Sequence, residues 1–143
     1  TLVARHQSEL SPSRRRALQR VQAGALVASG RADEALRQYA NLARAYPDDG
    51  DLREAYAQLL AARDDRPSLE AAQMEWREVE RRSKPGGPRW FRAKYAVAEL
   101  HLRLGRADQA ERMVRLVALL HPELGGETMK HRFEQLLRRC EQP

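Results

Sequence analysis

Cysteine is nearly absent from this chain. Cys140 is the only one in 143 residues, so no intrachain disulfide can form and the redox compartment stays open. Lysine is scarce as well: only Lys84, Lys94 and Lys130 among the 26 basic residues are lysine, and the rest are arginine, a skew that genomic base composition can produce without any ligand. β-Branched residues are few apart from scattered valines, whereas Ala, Leu, Arg, Glu and Gln, all good helix formers, dominate, so the expected fold is all-α. No apolar run approaches the roughly 20 residues needed to span a bilayer, which argues against membrane insertion. Thr1 to Leu10 carries Arg5, His6 and Glu9 where a signal peptide would need an apolar core. The compartment, cytoplasmic or periplasmic, is therefore undetermined. The chain also lacks an initiating methionine, as expected of a processed protein or a piece of a longer one.

Chemistry-bearing patterns are missing too. His6, His101, His121 and His131 are not at helix spacing from one another or from Cys140, so no metal-ligand pair emerges. Pro85-Gly86-Gly87-Pro88 is a stiff turn without the Lys-Ser/Thr of a phosphate loop. Cys140, on an apolar stripe, reads as a small buried hydrophobe, and His101 as a core or half-buried side chain. No catalytic residue, metal or cofactor is expected, and the chain reads as a non-enzyme.

The net charge is +6. Its basic residues, however, are interleaved with acids, as in Glu75 to Arg82, where opposite charges three or four apart pair along a solvated helix face. A nucleic-acid surface more often shows a stripe of one sign. Here only Arg14 to Arg16 and Arg138 to Arg139 cluster.

What is present is a repeat. Gly30-Arg31-Ala32-Asp33-Glu34-Ala35 recurs 75 residues later as Gly105-Arg106-Ala107-Asp108-Gln109-Ala110, and in each copy a proline, Pro47 or Pro122, follows the last alanine by twelve residues. Each copy predicts a first helix ended by a glycine of positive φ, then a second helix with acids in its first turn, stopped by the proline. A third unit fits between them, carried by Tyr56, Leu59, Leu60, Glu70-Ala71-Ala72, Trp76, Val79 and Pro85. There the glycine turn is replaced by Asp64-Asp65-Arg66-Pro67-Ser68, read as a slightly longer loop with Ser68 capping the next helix. Ala35, Ala72 and Ala110 are small enough for close helix approach, and Tyr39, Trp76 and Val114 supply bulk one turn later.

These features resemble the tetratricopeptide repeat (TPR) family, whose unit is roughly 34 residues of helix-turn-helix with a small residue, an aromatic and a closing proline in its second helix. The resemblance implies a helical-hairpin solenoid, a segment of right-handed superhelix with seven to eight helices. Its parts would be an N-terminal helix over 1–12 ending a preceding repeat, repeats over 13–49, 50–87 and 88–124, and a capping helix over 125–143. Thr1 to Leu10 reads alternatively as a simple arm, and its Leu2, Val3 and Leu10 could drive self-association. Gln19 and Gln22 depart from the family, standing where it carries a large aromatic and a leucine. At the C-terminal end Met129, Phe133, Leu136, Leu137 and Cys140 form one apolar stripe at helical spacing, entered through Gly125-Gly126.

In the resembled family the first helices of each repeat line a concave groove that holds peptides. Here Arg92, Tyr95, Glu99, Leu102 and Arg103 form one stripe of the third unit, Glu54, Gln58 and Ala61 the matching face of the second, and Arg20, Gly24 and Val27 that of the first. Positions that clamp chaperone-tail carboxylates in one subfamily hold Arg20, Gly24, Gln58, Arg92 and Ala96. Two cations survive and both asparagines are lost, which argues against such a clamp. The groove candidates are therefore Arg20, Gln58, Arg92, Tyr95, Glu99 and Arg103, with Arg20 and Arg92 placed to grip an acidic protein or peptide. The resulting expectation is a protein-interaction scaffold within a larger multi-repeat protein. Two alternatives stand beside it: a basic helical array on nucleic acid, and a bacterial cell-envelope scaffold for polysaccharide export or complex assembly.

Overall fold

The computed structural model describes residues 11–142, which form seven helices and no strand. They are α1 (Pro12–Ala28), α2 (Ala32–Ala45), α3 (Gly50–Ala62), α4 (Arg66–Arg82), α5 (Pro88–Arg103), α6 (Ala107–Leu120) and α7 (Glu127–Glu141). The all-α composition thus gives an all-α fold. The arm from Thr1 to Leu10 lies outside the described residues. No helix among those described is long and apolar enough to cross a membrane. The chain divides within α3 into two compact units, one up to Tyr56 and one from Ala57. In the first α1 packs on α2; in the second α4 packs on α5, α5 on α6, and α7 on both α5 and α6.

The repeated hexapeptide folds twice into the same turn. Gly30 and Gly105 take φ of 78° and 80°, a conformation costly for any side chain bearing a Cβ. The residue after each glycine returns its N–H to a carbonyl of the last helical turn, Arg31 to Leu26 and Arg106 to His101, both at 2.8 Å. The glycine N–H groups bond Val27 at 3.1 Å and Leu102 at 3.0 Å, completing a Schellman pair that satisfies carbonyls the helix end would otherwise leave open. The following helices, α2 and α6, are each 14 residues long. They stop at Tyr46 and His121, the residues before Pro47 and Pro122, with extended φ of −126° and −136°. A residue preceding proline is pushed out of the helical region, which sets both ends.

The middle turn departs from its expected form. α3 ends at Ala62 and α4 begins at Arg66, so Pro67 and Ser68 belong to the helix and the connection is no longer than the glycine turns. Asp64, with φ of 60°, occupies the left-handed position that glycine fills elsewhere; aspartate is among the few other residues that tolerate it. The cap is Asp65 rather than Ser68. Its carboxylate accepts from the Ser68 N–H at 2.9 Å and from the Ser68 hydroxyl at 3.0 Å, and these two bonds hold it below the usual aspartate range.

Helix pairing rests on the small residues. Ala35, Ala72 and Ala110 are all fully buried. In the first unit Ala23, Leu42 and Leu52 form a small core flanked by Tyr39 and Tyr46. In the second a larger core gathers Trp90, Phe91, Ala98, Val114, Val117, Leu124, Phe133 and Leu136. The C-terminal stripe does as its spacing predicts: Phe133 and Leu136 are sealed in this core while Met129, Leu137 and Cys140 pack at its margin. Gly125 and Gly126, at φ of 84° and 108°, make the turn that brings α7 back onto it.

Candidate functional site

The second unit contains a cleft of about 360 Å³. Its long wall is α5, where Arg92, Tyr95, Ala96, Glu99 and Arg103 recur at spacings of three and four and so share a face. The end of α3 contributes Gln58, Ala61 and Ala62. Trp76 of α4 and Leu100 of α5, both buried, form the apolar floor. α7 supplies Arg132.

The walls are held by interactions within the unit. The Tyr95 ring meets Phe133 edge-on, with centroids 5.6 Å apart and planes at 78°. The guanidinium of Arg132 lies 4.2 Å from the centre of the same Tyr95 ring, a cation–π contact at a half-exposed site. Glu99 is bracketed by Arg103 at 3.8 Å and Arg139 at 3.5 Å. Arg103 also donates to the Ala61 carbonyl at 2.8 Å and to Asp64 Oδ1 at 2.7 Å. It therefore caps the C-terminal end of α3 and pins the aspartate turn, a structural duty that restrains its guanidinium. Arg66 likewise reaches the C-terminal end of α5, donating to the Leu104 carbonyl at 3.3 Å, while its neighbour Glu70 pairs with Arg106 at 2.5 Å.

Five of the six sequence candidates, Gln58, Arg92, Tyr95, Glu99 and Arg103, come together in this cleft. Arg20 does not line it; it is an exposed residue of α1 in the first unit. Two other members of the expected stripes also turn elsewhere. Leu102 packs against the hydrophobic core of the second unit, and Glu54 is buried in the first. Trp76, Leu100 and Arg132 were not foreseen as lining residues. Arg132 was findable, because it lies between Met129 and Leu136 along the stripe of a helix that must pack on α5.

A second hollow, about 370 Å³, belongs to the first unit. Gln19, Gln22, Gln38 and Asn41 line it with Leu42, Ala45 and Tyr46, so the two glutamines that depart from the repeat pattern face a polar, uncharged space. Tyr46 carries the Arg16 guanidinium 4.0 Å above its ring, and Arg16 pairs with Asp49 at 3.4 Å.

Neither hollow assembles reactive groups. Among the described residues no three His, Cys, Asp or Glu side chains are grouped to hold a metal. Cys140 is half-buried, and burial raises its thiol above the usual range, which disfavours the thiolate. His101 is buried with Nδ1 unpartnered; burial, then the charges of Arg77 and Arg106, depress its pKa against the opposing pull of Glu70. Compared with protein-family models, curated proteins and solved structures, the chain matches none.

Proposed function

We propose that this chain is a TPR-like, non-enzymatic interaction module whose cleft between α3, α4, α5 and α7 holds a segment of an acidic protein partner. The observation that carries the reading is the cleft's composition. An aromatic floor and wall, Trp76 and Tyr95, adjoin three arginines, Arg92, Arg103 and Arg132, against one carboxylate, Glu99. Aromatic and arginine side chains are the types that dominate binding energy at protein interfaces, the rings through large rigid contact area and arginine through the planar array of donors on its guanidinium. A volume of about 360 Å³ accommodates one or two partner side chains rather than a whole helix. An apolar side chain would rest on Trp76 and a neighbouring carboxylate would lie in the positive field of the guanidinium groups.

The duplicated turn geometry supports the TPR-like part of the reading, since two units built to one plan are what a repeat array requires. Selection of a random peptide library on the intact chain, followed by calorimetric titration of the enriched sequences, tests the binding part. The reading expects enrichment of an acidic residue near an apolar one. Arg92→Glu with Tyr95→Ala should weaken the selected peptide by at least tenfold, about 1.4 kcal/mol. Binding that is indifferent to both substitutions would place the interaction elsewhere.

A further inference from the structure

The outward face of α6 is apolar where a solvated helix should be polar. Leu116, Leu119 and Leu120 are 55%, 77% and 64% exposed, and they lie on one stripe by their spacing. Arg112 sits four residues before Leu116 on that stripe, and Glu123 four residues after Leu119, in the turn just beyond the helix; both are exposed. The leucine patch thus has a cation, Arg112, on its N-terminal side and a carboxylate, Glu123, beyond its C-terminal side, past the point where the helix stops at His121.

That pattern is self-complementary. When two such helices lie antiparallel about a two-fold axis midway between Leu116 and Leu119, each Leu116 meets the other copy's Leu119. Each Arg112 is then brought to the end of the other copy's patch where Glu123 lies, and the stem of Arg115 covers Leu120. α6 has no basic residue in its last turn, whereas α4, α5 and α7 each do. In the antiparallel pair the incoming Arg112 brings a cation to that end of the helix dipole. Neither Arg112 nor Glu123 has an ion-pair partner among the described residues, while Arg115 is anchored to Glu111 at 2.9 Å.

We propose that a second copy of this chain docks on this face, forming a weak antiparallel α6–α6 homodimer. A seam of three leucines and two charge pairs is smaller than the standard interface of roughly 1,600 Å², so the dimer dissociates readily on dilution. The pairing is independent of the cleft.

Sedimentation equilibrium of the whole chain from about 10 µM to about 1 mM tests it, a range that brackets weak association. Expected is a monomer at the low end and a growing dimer fraction at the high end. Leu119→Glu should abolish the dimer without changing helicity. Arg112→Glu and Glu123→Arg should each weaken it by tenfold or more, and the double swap should restore it, because the swapped charges again face each other. A chain that stays monomeric throughout overturns the proposal. So does a dimer untouched by Leu119→Glu, or single swaps that the double swap fails to rescue.

Discussion

Alanine at Gly125 should cost far more stability than alanine at Gly105, although the two glycines have nearly the same φ, 84° and 80°. Both substitutions incur the left-handed penalty of an L side chain, about 1–2 kcal/mol. They differ in what the new methyl group meets. At Gly105 nothing lies within 4 Å. At Gly125 the Cβ would fall 2.9 Å from both Cγ and Cδ2 of Phe91. That ring cannot swing away, for it is buried and set edge-on between Trp90, at 5.1 Å, and His121, at 5.4 Å. Overpacking of this kind adds about 1–3 kcal/mol. Gly105→Ala should therefore cost about 1–2 kcal/mol and Gly125→Ala about 2–5 kcal/mol. Urea unfolding followed by tryptophan fluorescence is the suitable assay, since Trp76 and Trp90, the chain's only two tryptophans, both lie in the second unit. Phe91→Leu should recover part of the difference in the Gly125→Ala background. Equal costs for the two alanines would refute the steric argument.

Three further outcomes follow from the same geometry. Phe133→Ala should lose about 3–5 kcal/mol by emptying a fully buried site, and should weaken any ligand of the cleft because the Tyr95 ring loses its edge contact; circular dichroism melts and titration of Phe133→Leu separate the two effects. Arg103→Met keeps the packing stem but removes the bonds to Ala61 and Asp64, and should cost about 1 kcal/mol, less than charged hydrogen bonds usually contribute because the pair is partly screened by solvent. Faster hydrogen exchange confined to the C-terminal turn of α3 would show the loss of that cap. His101 is held neutral by burial and by Arg77 and Arg106, so the unfolded chain takes up a proton near pH 6.5 that the folded chain refuses. Stability should fall as pH drops below about 6.5, levelling once the depressed folded pKa is passed, and His101→Leu should flatten that slope; an unchanged slope would assign it to another group.

The repeated hexapeptide was legible because glycine and proline impose backbone conformations that few neighbours override, and the two copies accordingly match bond for bond. The buried alanines and the C-terminal stripe were legible for the same kind of reason, a fixed period of 3.6. The middle turn was not, because Asp64 does by tolerance what glycine does by freedom, and a pattern sought as glycine passes over it. Ser68 looked like a cap because serine is a good one; Asp65, three residues upstream, was in the position that counts. The cleft was half legible. The α5 face followed from helical spacing, but Arg132 and Trp76 enter it through tertiary packing. Arg103, read as a groove residue, proves tied to the Ala61 carbonyl, a demand that no periodicity reveals.

The most direct test of the central claim is amide chemical-shift mapping of the isotopically labelled chain with the tightest peptide from the library selection. The account predicts saturable shifts clustered at the end of α3, around Trp76, along the Arg92 to Arg103 face of α5, and at Arg132. Shifts confined to the amide-lined hollow of α1 and α2, or to the leucine face of α6, would contradict it.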